Sequence, residues 1–306
     1  PALCAGNACA VKPAPSVARV SETLFSLIPK GLPLIGAWLN HEDTLKAIKD
    51  TDAMAFTGST HTGRLLAAHA GRHLKKNVLE LGGSNPFIIL PDADLQRAAI
   101  DACYSRFRDA GQSCNAAKRI VVTQDIAEQF IPLFLAECAK LQTGNPKDPN
   151  TTLAPLHRQD LRQTVHEQVE DAVTHGAQCL SGGYIPEGES WFYPATVLDQ
   201  VNPNCRVWHE EVFGPVAMIL RADNPDHAVA LANDTPFGLG ACIYTADTAN
   251  AWKYAEKIQA GSVFINRHTS SDLRLPFGGV KASGYGRELS EFGLYEFVNV
   301  KTYWQK

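Results

Sequence analysis

The stretch DAMAFTGSTHTGRLLAAHAGRHLKKNVLELGG, from Asp52 to Gly83, decides the fold. A short apolar strand, DAMAFTGS, runs into a small polar turn, the residues from Arg64 to Leu74 read as helix, and NVLELGG returns to strand. Apolar strands separated by a helix are the signature of a parallel sheet covered by helices. The pattern extends upstream through the strands NACAVKPA and LPLIGAWLN. Downstream the helices lengthen. DADLQRAAIDACYSRFRDAG opens on acidic residues, which suit a helix N-terminus, and Gly111 is expected to stop it. Residues 125–142 carry Ile126, Phe130, Ile131, Phe134 and Cys138 at helical spacing. Leu161, Val165, Val169, Ala172 and Val173 mark one face of a further helix that ends at Gly176. The strands FYPATVL, PVAMIL, ACIYTA and SVFIN complete an α/β chain without internal repeats or low-complexity segments. A boundary between two α/β domains is expected near Gly82–Gly83.

The chain has 306 residues, 45% of them hydrophobic, enough for a large core and, by length, two domains. A net charge of −4 gives no reason to expect a nucleic acid or a membrane surface as partner. No apolar run is long enough to span a bilayer, and the first residues have no signal-peptide pattern. The eight cysteines form no CxxC pair and no zinc spacing, so no metal is expected and the thiols read as reduced, as in the cytoplasm. The chain opens at Pro1 and its first residues read like the middle of a helix, so a portion upstream is expected to be missing.

One cysteine stands apart. In FRDAGQSCNAAKR, Cys114 lies in a short polar loop, with Gln112, Ser113 and Asn115 around it and Lys118–Arg119 just downstream. A thiol is a good nucleophile only as thiolate, so it needs a polar or electropositive setting; a loop between a helix end and a helix start would supply N–H groups. The alternative is a partly buried structural thiol. Glu80 ends an apolar strand beside two glycines, where burial would raise its pKa and make it a base near neutral pH; the alternative is a carboxylate pointing to water. In FTGSTHTGR, Gly58 and Ser59 precede a helix that Gly63 would open, and its N-terminus could bind a phosphate or be an ordinary turn. Lys12 lies at a strand end, where a second nucleotide contact could sit. EEVFGPV and LPFGGVKASGYGRE each pair an aromatic with glycine at a turn.

Taken together, FTGST, LELGG, GQSC, EEVFGPV, PFGGVKASGYGRE and EFVNVKT, in this order, resemble the aldehyde dehydrogenase superfamily over nearly the whole chain. LKKNVLELGGSNPF, AAKR and HEQVEDAV resemble its bacterial succinate-semialdehyde dehydrogenases. The resemblance implies a truncated Rossmann-like NAD(P)-binding domain over residues 1–82, an α/β catalytic domain over 83–286, and a C-terminal helix and oligomerisation strand over 287–306. It makes Cys114 the nucleophile, with its own N–H as an oxyanion donor, and Glu80 the base for hydrolysis. Lys12, Gly58 and Ser59 become contacts to adenine ribose and pyrophosphate, and Glu211 and Phe213 contacts to the nicotinamide ribose and ring. Arg108, six before the nucleophile, and Ser271, five before Pro276, match positions that bind a distal carboxylate, which a guanidinium would hold with paired donors.

Where NAD-preferring relatives place a ribose-binding glutamate, this chain has Pro15, so the expectation is NADP or both cofactors. The family's N-terminal portion, with its oxyanion asparagine and an oligomerisation hairpin, has no counterpart here. The expectation is therefore a fragment of a longer homo-oligomeric enzyme, or a truncated chain with impaired function. Competing readings are another aldehyde as substrate, a binding module that keeps only the fold, and a cysteine hydrolase, which would leave the nucleotide motifs unexplained.

Overall fold

The structure is a computed structural model and describes every residue except Glu189. After a single turn in which the Ala5 N–H donates to the Pro1 carbonyl, the chain forms β1 (Cys9–Val11), α1 (Ala18–Ser26), β2 (Leu34–Gly36) and α2 (His41–Asp50). The decisive stretch folds as β3 (Ala53–Thr57), α3 (Thr60–Arg72) and β4 (Lys76–Glu80). Next come β5 (Asn85–Ile89), α4 (Leu95–Phe107), β6 (Ala117–Thr123), α5 (Gln124–Cys138) and α6 (Gln159–Thr174). They are followed by β7 (Gln178–Ser181), β8 (Thr196–Asp199), α7 (Arg206–His209), β9 (Val216–Ala222) and α8 (Pro225–Asn233). The last part holds β10 (Phe237–Gly238), β11 (Gly240–Tyr244), α9 (Thr248–Ala255), β12 (Ser262–Ile265), β13 (Val280–Lys281), β14 (Gly284–Tyr285) and α10 (Ser290–Tyr295).

The chain divides into two compact units, with a break between Leu81 and Gly82. The first unit holds Pro1–Leu81, Ser271–Gly278 and Gly284–Lys306. Its strands make two separate sheets: β1 runs parallel to β2, and β4 lies between a parallel β3 and an antiparallel β14. Ile48 of α2 and Leu66 and Ala70 of α3 are buried together, with Met54 and Phe56 of β3 against them. The second unit holds Gly82–Ser270 and Gly279–Ser283. Its seven-stranded sheet has the order β12-β11-β5-β6-β9-β8-β7 and is parallel except at the β7 edge. The central strands are continuous apolar runs such as IVV in β6 and AMIL in β9, as burial on both faces requires. Phe107, Phe130 and Phe134 from α4 and α5 pack on the same core.

Several boundaries differ from the sequence expectation. Ser59, not Gly63, starts the third helix: its hydroxyl accepts from the Thr62 N–H as N-cap, and Gly63 lies in the first turn. Helix α4 ends at Phe107, before Gly111. The thiol loop leads into strand β6, not into a helix. The division at residues 286 and 287 is not where the units part. Pairing of β14 with β4 draws residues 284–306 into the first unit, and residues 271–278 belong to it as well. The strand expected in EFVNVKTYW is not formed in this chain; residues 298–306 have no regular structure, and Val300, Tyr303 and Trp304 are exposed. All eight cysteines are free thiols. Among the described residues no helix is long and apolar enough to cross a membrane.

Candidate active site

Cys114 is presented by a turn that the chain constructs with some strain. Beyond Phe107, Asp109, Ala110 and Gly111 are all left-handed, with φ of 55°, 52° and 71°. A residue with a Cβ pays about 1–2 kcal/mol for that conformation. The turn closes where the Ala116 N–H donates to the Ser113 carbonyl at 3.2 Å. Three carbonyls in a row are then held by buried side chains. Lys118 Nζ donates to Ser113 O at 2.8 Å and to Cys114 O at 2.9 Å. Asn115 O accepts from Thr269 Oγ1 at 2.6 Å and from Asn85 Nδ2 at 3.1 Å. The thiol residue itself is half-buried.

The glycine pair after Glu80 gives this turn its room. A Cβ on Gly83 would stand 2.7 Å from the Cys114 carbonyl oxygen, and one on Gly82 would overlap the Glu211 carboxylate. Glu211 is therefore seated against the glycines: its Oε1 accepts from the Gly83 N–H at 3.1 Å and pairs with Lys118 Nζ at 3.1 Å. Lys118 also lies 6.0 Å from the centre of the half-buried Phe213 ring. Arg106 ties the same segments from beneath, donating to the carbonyls of Gly111, Val212 and Gly214. Burial pushes its guanidinium down to about 9, opposed by the Glu211 charge. Arg108 is half-buried, donates to Asn115 Oδ1 at 3.3 Å and lies over the Tyr104 ring. Among the described residues Arg108 forms no ion pair.

In the first unit, Glu80 ends β4 with only 4% of its surface exposed, and neither carboxylate oxygen has a hydrogen-bond partner. Burial, reinforced by Glu288 and opposed by Arg287, raises its pKa to about 8. A Cβ on Gly278 would lie 2.8 Å from its Oε1, so a glycine is needed beside the carboxylate. Gly58 is adjacent: its N–H donates to the Glu80 carbonyl at 3.0 Å. Ser59 caps α3, whose first turn carries no acidic side chain, in contrast to Glu42 and Asp43 at the start of α2. Lys12 follows β1 and is exposed, and Ser271 is exposed at the start of its segment. The structure thus groups Lys12, Gly58, Ser59, Glu80 and Ser271 in the first unit, and Cys114, Arg108, Glu211 and Phe213 in the second.

Sequence reasoning missed Lys118, Arg106, Asn85 and Thr269 as builders of the site. Lys118 and Arg119 read as a basic pair downstream of the thiol, yet both are fully buried within β6. Their setting in AKRIVVT carried the signal: cations inside an apolar strand must be satisfied internally. Arg119 is so satisfied by the carbonyls of Ser84, Leu231 and Ala232.

The second unit is thus a largely parallel α/β fold that presents a cysteine on a braced turn, beside a carboxylate seated on two glycines. Comparison with known proteins identifies the family. The aldehyde dehydrogenase family profile matches residues 1–303. The chain is 44% identical to the succinate semialdehyde dehydrogenase [NAD(P)+] Sad of Escherichia coli (strain K12), over 100% of this chain and 67% of that protein. It is also 44% identical to the succinate-semialdehyde dehydrogenase [NADP(+)] 1 of Mycobacterium tuberculosis (strain H37Rv), over 99% of this chain and 68% of that one. The crystal structure of succinic semialdehyde dehydrogenase from Streptococcus pyogenes, in complex with NADP+, superposes with a TM-score of 0.91 at 35% identity, covering 96% of this chain and 66% of that chain. The chain belongs to the aldehyde dehydrogenase family and has its fold. It spans about two thirds of the length of the relatives it matches.

Proposed function

We propose that this chain carries the chemistry of an NAD(P)-dependent aldehyde dehydrogenase and that its substrate is an aldehyde with a distal carboxylate, succinate semialdehyde in the first instance. The observation that carries the reading is the braced turn of Cys114, whose neighbouring carbonyls are all held while its thiol residue stays half-exposed. The Cys114 thiolate adds to the aldehyde carbon, and the carbonyl electron pair moves to oxygen, where the Cys114 N–H donates. A nicotinamide, when bound, supplies the acceptor for the hydride lost as the thiohemiacetal becomes a thioester. Glu80 takes a proton from water, the hydroxide adds to the thioester carbon, and the carboxylic acid leaves as the thiol is restored.

The residues fit such a cofactor. The first turn of α3 offers backbone donors without an opposing carboxylate, which suits a pyrophosphate on Gly58–Ser59, with Lys12 as a ribose contact. Pro15 begins a short 3₁₀ helix where no acidic side chain repels a 2′-phosphate, so NADP is accepted, with or without NAD. Glu211 and Phe213 are the contacts on the nicotinamide side. Arg108, whose polar contact is a neutral amide, retains donors for the distal carboxylate, with Ser271 as its companion. A homo-oligomer in the cytoplasm is the setting we infer for the whole enzyme.

The test is nicotinamide reduction by this chain, given succinate semialdehyde with NADP or with NAD, and a Cys114→Ala control. Reduction that vanishes in the control is the expected result. No reduction by folded protein whose Cys114 still alkylates would defeat the reading for this chain.

A further inference from the structure

Lys118 has no surface exposure, yet all three of its ammonium hydrogens have acceptors: Ser113 O at 2.8 Å, Cys114 O at 2.9 Å and Glu211 Oε1 at 3.1 Å. The first of these contacts has a chemical consequence. The Ser113 carbonyl and the Cys114 N–H belong to one peptide unit, which is planar, with the two groups on opposite sides. Whatever grips that carbonyl therefore sets the direction of that N–H. A cation on the oxygen also draws electron density through the amide and makes the N–H a stronger donor.

We propose that Lys118 is a positioning residue for the oxyanion donor: it orients and polarises the Ser113–Cys114 peptide so that the Cys114 N–H stabilises the negative oxygen formed when the thiolate adds to a carbonyl carbon. The proposal rests on Cys114 being the nucleophile, as argued above. The surroundings agree with it. The Ala116 N–H fixes the same carbonyl from within the turn, so Ser113 O has both of its acceptor positions filled. Glu211 compensates the buried ammonium, whose pKa burial lowers and this carboxylate pulls back up. One lysine thereby joins the nucleophile's turn to the carboxylate read as a cofactor contact.

Two cofactor-free reactions of the thiol separate this role from a general one. Alkylation by iodoacetamide displaces iodide at a saturated carbon and develops no oxyanion. Acylation by p-nitrophenyl acetate does: sulfur adds to the ester carbon, the π pair moves to oxygen, and collapse expels p-nitrophenolate to leave an acetyl thioester. Both limiting rates are measured at pH values above the thiol pKa, so that thiolate fraction drops out, in wild type, Cys114→Ala and Lys118→Met. We expect Lys118→Met to slow acylation by roughly tenfold to a hundredfold, below the loss on deleting an oxyanion donor outright, while alkylation stays within about twofold. Acylation within twofold of wild type would overturn the proposal, and so would an equal fall in both reactions, which marks a merely structural role. If Lys118→Met does not fold because Glu211 is left uncompensated, the Lys118→Met/Glu211→Gln pair is compared with Glu211→Gln under the same criteria. Wild-type protein with no Cys114-dependent acylation or alkylation would instead defeat the nucleophile assignment, and this proposal with it.

Discussion

At the scale of single residues, Glu80 is a carboxyl group held away from water. Its ordinary carboxyl pKa of 4.5 rises to about 8 through burial and the nearby Glu288. If it is the hydrolytic base, only its carboxylate form works, so turnover limited by thioester hydrolysis should rise with pH toward a plateau above about 8. Glu80→Gln should give a stoichiometric burst of reduced nicotinamide followed by little steady-state turnover, read by stopped-flow absorbance. The same shift bears on stability. The folded chain keeps the proton to about pH 8, while the unfolded chain releases it near 4.5. Stability from this group is thus complete below pH 4.5 and is lost as pH rises through 8, by at most about 5 kcal/mol. Urea midpoints should therefore fall less from pH 6 to pH 9 in Glu80→Gln than in wild type. Arg108→Leu should raise KM for succinate semialdehyde at least tenfold and change KM for an uncharged aldehyde little; equal effects on both would remove Arg108 from substrate recognition.

At the scale of elements, the glycines after and opposite β4 matter for contact more than for flexibility. Gly83→Ala would drive a Cβ against the Cys114 carbonyl, a backbone atom that cannot rotate away. We expect a stability loss of about 1–3 kcal/mol and slower alkylation of Cys114 in the folded variant, measured by denaturant unfolding and by mass spectrometry of the thiol peptide. This scale also shows what the sequence made legible. The long strands of the second unit announce themselves as apolar runs, and α5 and α6 by their spacing. Two-residue strands such as β13 and β14 carry no periodicity, because they exist only through partners far along the chain. Cys114 stood out as a thiol among polar neighbours, whereas Lys118 and Arg106 were hidden, since nothing local says that a charged side chain will be buried. Glu80 was readable because its strand is apolar and its glycines are adjacent. The end of α4 was misplaced because Asp109 and Ala110 take a left-handed backbone that their chemistry does not favour.

At the scale of the whole molecule, the first unit carries exposed apolar residues in quantity. Val20 and Leu24 of α1 and Leu27 just past its end are 71%, 60% and 74% exposed, with Ile35 at 65% nearby in sequence. Large apolar side chains left in water in such number are an aggregation liability. Purified alone, the chain should bind the dye ANS and scatter light at raised concentration. Val20→Lys/Leu24→Glu/Leu27→Lys should lower both signals without shifting the far-UV circular dichroism.

The return of the chain to its first unit has a consequence for how the protein is made. Strand β4, which ends at Glu80, receives its antiparallel partner from Gly284 and Tyr285, some 204 positions later. A ribosome adds about 5–20 residues each second. For roughly ten to forty seconds of every round of synthesis, the strand bearing Glu80 has emerged with one edge unpaired. Its backbone amides and carbonyls are open to any passing strand in that interval. The second unit's sheet can assemble meanwhile, from segments that are all available by Ile265. Nascent chains stalled before Gly284 should thus be trapped with the scaffold of Cys114 built and the strand of Glu80 still waiting.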